Sequence, residues 1–194
     1  MTLPAIILAA GASRRLGQPK QLLGFHGETL LGRSLRLARE AGAAPVVVVL
    51  GANFASICAS TAFQDAIPVL NDQWELGISS SIHAGLGEAE VRSSEPAGVL
   101  LMTCDQPHLT AGHLAGLLET FRQHSAESIV ASEYAGTHGI PAVFPRSTFH
   151  ALRALQGDKG ARSLFSKSLA AVIALPLAGG EIDIDLPSDL AQLD

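Results

Sequence analysis

Short apolar runs alternate with stretches of helical spacing along nearly the whole chain. Residues 5–8 (Ala-Ile-Ile-Leu) and 45–50 (Pro-Val-Val-Val-Val-Leu) have no polar face, the pattern of strands buried on both sides. Between them, Leu30, Leu31, Ser34, Leu35, Ala38 and Ala41 fall on one side of a helix predicted over 29–41, and Gly42 stops it. The alternation continues with a helix over 53–62, a short strand over 66–70, a helix over 79–90 and a buried strand over 97–103. Thr110 is a candidate cap for a helix whose Leu114, Leu117, Leu118 and Phe121 share a face. Strands over 128–132 and 140–144 come next, then a helix to 155 and a Gly-Asp-Lys-Gly turn at 157–160. A helix to about residue 167 and a strand over 172–175 follow. A last strand over 181–184 leads to Pro187 in the first turn of a terminal helix.

Strands alternating with helices imply right-handed β-α-β units. The expected fold is α/β: a three-layer α/β/α arrangement around a mostly parallel, Rossmann-like sheet. The pair of strands near 128–144 leaves room for an antiparallel edge. No break is long enough to be a linker, so residues 1–194 are expected to form one domain.

Composition narrows the function classes. Hydrophobic residues make up 47% and charged residues 16%, a globular balance. The formal charge of −5 argues against a broad nucleic-acid surface, so a polyanion must be met by a local basic loop. Cys58 and Cys104 lie far apart and suggest neither a disulfide framework nor a zinc ribbon. The apolar run 3–10 is too short to span a bilayer, and its arginines follow instead of preceding it. A cytoplasmic protein without a membrane partner is the expectation.

Ligands of such sheets bind beyond the carboxyl ends of the strands. Three polar clusters fall there: the loop carrying Gly11, Ser13, Arg14, Arg15, Gly17 and Lys20; Asp105-Gln-Pro after the 97–103 run; and Asp183-Ile-Asp185. The loop is neither a P-loop nor a dinucleotide fingerprint, because the glycine spacings are wrong. Its glycines and cations nevertheless suit a phosphate chain, with Arg15 and Lys20 approaching it while Ala10 and Gly11 hold a nucleoside close. Arg14 reads as surface charge. Asp105 and Asp185 suit Mg²⁺, a hard cation that commonly takes one or two carboxylates alongside substrate phosphates. Asp-Gln-Pro is also good turn chemistry, and residues before Pro187 are equally placed to cap a helix. The serines at 79–81 open a helix, where free N–H groups attract anions and where Ser79 or Ser80 is a natural cap. His83 reads as a helix-face residue and Cys104 as a small core residue. No His-Glu-x-x-His and no Gly-x-Ser-x-Gly is present.

Residues 8–20, Leu-Ala-Ala-Gly-Ala-Ser-Arg-Arg-Leu-Gly-Gln-Pro-Lys, resemble the signature of nucleotidyltransferases of the molybdenum-cofactor type. Later pieces resemble the same family in order: 25–31, Asn71 with 77–81, Asp105-Gln-Pro, His138-Gly-Ile-Pro, 157–160 and 183–190. Within it, the chain looks most like the molybdenum cofactor cytidylyltransferases, in which Ala9-Ala10 stands where guanylyl relatives tend to carry a second glycine. Leu186 departs from the threonine often found there.

The resemblance implies transfer of CMP from CTP, or of another nucleotide from its triphosphate, to a molybdopterin-type acceptor, with release of pyrophosphate. It implies Mg²⁺, with Mn²⁺ as substitute, and a client molybdoenzyme as a further partner. Carried over by position, Leu8, Ala9, Ala10, Gly11 and Ser81 bind the nucleotide. Lys20 and Arg15 are catalytic, and Asp105 and Asp185 hold the metal. His138, Gly139, Pro141, Asp158 and Lys159 face the acceptor. Rival readings are a guanylyltransferase, a sugar- or alditol-phosphate nucleotidyltransferase, a non-catalytic nucleotide- or pterin-binding accessory protein, and a flavin-dependent redox enzyme.

Overall fold

A computed structural model describes residues 2–166 and 170–193. The chain opens with β1 (Ala5–Ala9), a 3-10 turn at Lys20–Leu22, and the small ribbon β2 (Gly24–Phe25) and β3 (Glu28–Thr29). Then follow α1 (Leu30–Glu40), β4 (Val46–Leu50), α2 (Phe54–Ser60), β5 (Ile67–Leu70), α3 (Ile78–Arg92), β6 (Gly98–Thr103) and α4 (Ala111–Gln123). The last part holds β7 (Ile129–Tyr134), β8 (Thr137–Pro145), α5 (Phe149–Arg153) and β9 (Val172–Pro176).

Seven strands form one sheet in the order β5-β4-β1-β6-β8-β7-β9. All pairings are parallel except those of β8, which runs against both β6 and β7. The antiparallel element is therefore realised inside the sheet and not as its edge. A tight hairpin at Ala135 and Gly136 sends the chain back beside β7, and β8 fills the gap next to β6. β9 then closes the far side in parallel with β7.

The apolar runs do what their composition requires. Every residue of β1 and β4 is buried, because helices cover both faces. On one face Ile7, Val48, Leu100 and Met102 meet α1 and α4 through Leu31, Leu35, Leu117 and Phe121. On the other, Ile6, Val47, Val49 and Leu101 meet α3 and α5 through Ile82, Leu86, Phe149 and Leu152. The close approach of α3 depends on Gly85, where a Cβ would lie 2.9 Å from Val49 and closer still to Ile6. Thr29 and Thr110 cap α1 and α4 by accepting from Gly32 N and His113 N.

Four expectations change at the C-terminal side and at α3. Residues 181–184 form no strand. They cross the rim of the sheet in irregular backbone, held by Ile184 N donating to Asp105 O at 3.0 Å. Their Ile-x-Ile alternation arises because Ile184 plugs a small cluster with Leu16, Phe25 and Leu30. The terminal helix is a 3-10 turn at Pro187–Leu193, and its capping carboxylate is Asp189, which accepts from Asp185 N and Leu186 N. The predicted helix before 167 is a 3-10 turn at Ala161–Leu164, and its expected end at Lys167 lies outside the described residues. At the start of α3 neither Ser79 nor Ser80 caps the helix. The cap position is Gly77, and Ser80 instead donates to the carbonyls of Gly77 and Gln73.

Candidate active site

The C-terminal ends of β1 and β6 open onto a cavity of about 480 Å³. The loop after β1 forms one wall through residues 8–14 with Lys20 and Gln21; Trp74, Glu75, Gly77, Ile78 and Ser81 form the opposite one. The loop holds its shape through three local contacts. Ser13 takes a left-handed backbone (φ 51°), and its carbonyl accepts from Leu16 N and Gly17 N. Its hydroxyl accepts from Lys20 N at 3.2 Å, which fixes the start of the 3-10 turn. Gln21, fully buried, donates through Nε2 to Ala9 O (2.7 Å) and Gly11 O (3.1 Å), pinning the strand end to the loop.

Lys20 is the centre of the site. Its Nζ lies 2.5 Å from Asp105 Oδ2 and 2.7 Å from Asp185 Oδ1, joining the end of β6 to the C-terminal segment. Burial alone would lower its pKa, but the Asp105 charge and the hydrogen bonds to Asp105 and Asp185 outweigh that and hold it well above the ordinary lysine value. Lys20 is thus a fixed cation. Burial opposes ionisation of Asp185, yet Lys20 and Arg15 keep its pKa below the usual carboxylate range. Asp183 is pushed the other way, to about 7, by partial burial and by the Asp105 charge; its exposed position lets water screen part of that.

The sequence-predicted residues divide clearly. Leu8, Ala9, Ala10, Gly11, Ser81, Lys20, Asp105 and Asp158 line the larger cavity together. Arg15 stands outside it, mostly exposed, and pairs with Asp185 at 3.0 Å. Arg14, expected to be plain surface, lines the cavity, pairs with Glu75 at 3.0 Å and lies 5.8 Å over the Trp74 ring.

A smaller cavity of about 220 Å³ adjoins the first through shared walls at Leu8, Ile78, Thr103 and Asp105. Gly139 lines it, with Gln106, Tyr134, Ile140, Arg162 and Asp183. His138 packs edge-on against Phe165 with ring centroids 6.0 Å apart. Pro141 is buried, and its carbonyl accepts from Ser132 Oγ at 2.6 Å. Lys159 lines a separate hollow beside Ala151, Ala154 and Leu155. Neither Pro141 nor Lys159 therefore reaches the two joined cavities.

Sequence reasoning missed Gln21, Trp74, Tyr134 and Arg162. Trp74, the chain's one tryptophan, was readable in hindsight from the polar stretch before the 79–81 serines. The others have no periodic signal, since each acts through side-chain contacts made in space and not along the chain.

Among the described residues no group of three or more His, Cys, Asp or Glu could hold a metal, so the protein offers a pair of carboxylates. Asp105 Oδ1 is sealed from solvent and has no hydrogen-bond partner, a hard oxygen donor left open. A cation that draws its remaining ligands from phosphate and water fits this pair.

A parallel-stranded sheet with a glycine- and lysine-bearing loop and two rim carboxylates over adjoining cavities defines a nucleotidyltransferase fold. The description "MobA-like NTP transferase domain" matches residues 5–172, and the chain belongs to that family, the molybdenum-cofactor-type nucleotidyltransferases. It is 31% identical over 193 residues to "Purine catabolism protein PucB" of Bacillus subtilis, covering 95% of this chain and 92% of that protein. It is 33% identical over 163 residues to "Nicotine blue oxidoreductase" of Paenarthrobacter nicotinovorans, covering 81% and 78%. The crystal structure of Rv0371c from Mycobacterium tuberculosis in complex with manganese superposes with a TM-score of 0.80 at 27% identity, covering 100% of this chain and 98% of that one.

Among the described residues no helix is long and apolar enough to cross a membrane.

Proposed function

We propose that the protein transfers CMP from CTP to the phosphate of molybdenum-bound molybdopterin. An acceptor phosphate oxygen attacks the α-phosphorus, the bond to the bridging oxygen of the β-phosphate breaks, and pyrophosphate leaves with the electron pair. The observation that carries this reading is Lys20 Nζ held between Asp105 and Asp185, where the larger cavity meets the smaller one. A fixed, protonated lysine there stabilises charge building on the departing pyrophosphate without rearranging. The loop carbonyls and N–H groups around Gly11 orient the nucleotide, and Ser81 closes the far wall. No protein nucleophile is needed, because the acceptor brings its own phosphate oxygen.

Asp105 and Asp185 would hold Mg²⁺, or Mn²⁺ in its place. When bound, the ion supplies charge neutralisation at the phosphoryl oxygens. Arg15 adds positive charge from outside the cavity through Asp185. The choice of CTP rests on Ala10, whose buried methyl narrows the strand end beside the cavity. One methyl of difference is worth about tenfold or somewhat more between bases.

The test is pyrophosphate release from each of the four triphosphates, with and without molybdopterin. Acceptor-dependent release from CTP is expected; equal release from GTP would replace cytidylyl by guanylyl transfer. A redox reading is favoured by one observation, the relative named as an oxidoreductase at 33% identity. Purified protein with flavin absorption bands would support that reading in place of nucleotidyl transfer.

A further inference from the structure

The carboxylate pair at the rim is engaged by the protein's own cations. Lys20 Nζ donates to Asp105 Oδ2 at 2.5 Å and to Asp185 Oδ1 at 2.7 Å. Arg15 donates to the second oxygen of Asp185, Oδ2, at 3.0 Å. The fourth oxygen, Asp105 Oδ1, has no hydrogen-bond partner but is sealed from solvent. None of the four is both unpaired and open to an arriving ion. Two carboxylates nearby do not join the pair: Asp189 is turned onto the N–H groups of Asp185 and Leu186, and Asp183 lines the smaller cavity.

Charge decides what this arrangement admits. Two carboxylates are matched by two cations, so a divalent ion arriving alone gains little attraction and meets the repulsion of Lys20 at close range. Lys20 and Asp105 are largely buried, where salt screens such repulsion weakly. A nucleoside triphosphate brings several negative charges to the same rim and reverses the balance. The lysine need not leave for this to happen, because a carboxylate oxygen that accepts one hydrogen bond keeps a further lone pair.

We infer that Lys20 is an internal counter-ion that keeps the Asp105–Asp185 pair from taking a divalent cation by itself, so that the metal enters with the triphosphate. Arg15 does the same more weakly, because its pair with Asp185 is exposed. The inference rests on the reading of these carboxylates as metal ligands in nucleotidyl transfer and adds the residue that couples metal to nucleotide. The coupling is reciprocal: a metal that waits for the nucleotide also tightens nucleotide binding.

Mn²⁺ is the probe, and loss of its free-ion electron paramagnetic resonance signal measures binding to purified protein without nucleotide. Wild-type protein should bind it weakly. Lys20→Met keeps an unbranched side chain, removes the ammonium group and should bind Mn²⁺ about tenfold more tightly or better. Lys20→Arg keeps the charge and should stay within about threefold of wild type. Adding Asp105→Asn to Lys20→Met should abolish the gain. Because loss of Lys20 leaves carboxylate charge uncompensated, Lys20→Met should melt lower and recover more of its melting temperature with Mn²⁺ than wild type does. Arg15→Gln changes an exposed side chain, guards against misfolding of the lysine variant and should tighten Mn²⁺ binding about two- to threefold. Equal Mn²⁺ affinity in wild type and the folded variants overturns the inference, as does a gain that survives Asp105→Asn. Nucleotidyl transfer is judged separately, by pyrophosphate release from wild-type protein given Mg²⁺, CTP and molybdopterin. Release alongside unchanged Mn²⁺ affinities removes the counter-ion role and leaves transfer standing. No release removes transfer, while the Mn²⁺ comparison still decides whether Lys20 guards the carboxylates.

Discussion

Strands β5, β4, β1 and β6 run side by side in one direction, and the larger cavity opens at their ends. Strands β8, β7 and β9 make up the rest of the sheet, with one reversed strand, a register shift between Ala131 and Ser132 and a hairpin tip, and the smaller cavity opens beside them. The first region repeats one rule, a buried strand followed by a loop that aims backbone at the ligand. The second is assembled from single contacts such as Tyr134 against Gly139 and Gln106 against Gly180. On the proposed function, the difference divides the labour: charge chemistry falls to the regular half, and the irregular half adds the wall that would meet the acceptor.

Lys20→Ala is the strongest way to break this division. Turnover should fall by about 10²–10³, the scale of removing one preorganised charge-stabilising group, with the circular dichroism spectrum unchanged. A wild-type rate of pyrophosphate release would remove Lys20 from the centre of the regular half.

A matched pair of glycine substitutions sharpens the comparison. In Gly51→Ala the new Cβ would lie 2.6 Å from Trp74 and 2.8 Å from Ala10 O; in Gly139→Ala it would run into the Tyr134 hydroxyl and ring. Each overpacked site should lose about 1–3 kcal/mol of stability in urea titrations. Gly51→Ala should raise KM for CTP and leave that for the acceptor, and Gly139→Ala should do the reverse. A common effect of both on one substrate would erase the boundary between the cavities.

Arg14→Ala should have a smaller effect. Its ion pair with Glu75 is exposed and worth little, and its contact with Trp74 contributes about 0.5–1 kcal/mol. A few-fold weaker CTP affinity is expected by titration of the Trp74 fluorescence. No change in that signal on adding CTP to wild-type protein would place the nucleotide away from this wall.

The smallest effect concerns His113, which lies under the irregular half and meets Ser132 Oγ at 2.8 Å. Ser132 spends its proton on Pro141 O, so His113 Nε2 is the donor in that contact. Burial lowers its pKa below the ordinary value. The folded state therefore binds fewer protons than the unfolded one just below that value. The stability this contributes is fully present above the unfolded pKa of about 6.5 and is lost as pH falls through the lower folded one. Melting temperature measured from pH 7.5 to 5 should drop less steeply in His113→Gln; parallel curves would show that His113 does not titrate in this range.

The regular half was largely legible in the sequence. Runs such as Val-Val-Val-Val at 46–49 admit few alternatives, and polar clusters after them mark the rim, so the rim positions of Lys20, Asp105 and the loop are legible in the sequence. The family was legible too, because its motifs run in order through both halves. The segment 181–184 was misread as a strand because a single plugging residue, Ile184, produces the same alternation as a pleated edge. Gln21 and Gln106 could not be read. A buried amide that pins two carbonyls leaves no pattern along the chain, only a contact in space. Arg14 and Arg15 exchanged places for a similar reason, since adjacent side chains leave a loop in different directions that spacing does not encode.

The two cavity linings also differ in how the chain supplies them. Residues 8–14 with Lys20 and Gln21, and then Trp74, Glu75, Gly77, Ile78 and Ser81, give most of the larger one. The smaller one takes half its lining from β1, α3 and the end of β6, and the rest from Tyr134, Gly139, Ile140, residues 160–162 and Asp183 in scattered stretches of the second half. Under the proposed transfer, selection can reshape the second-half wall one segment at a time while the shared wall and the contiguous loop stay fixed. A lineage built this way would diversify in what it modifies sooner than in how it delivers the modifying group.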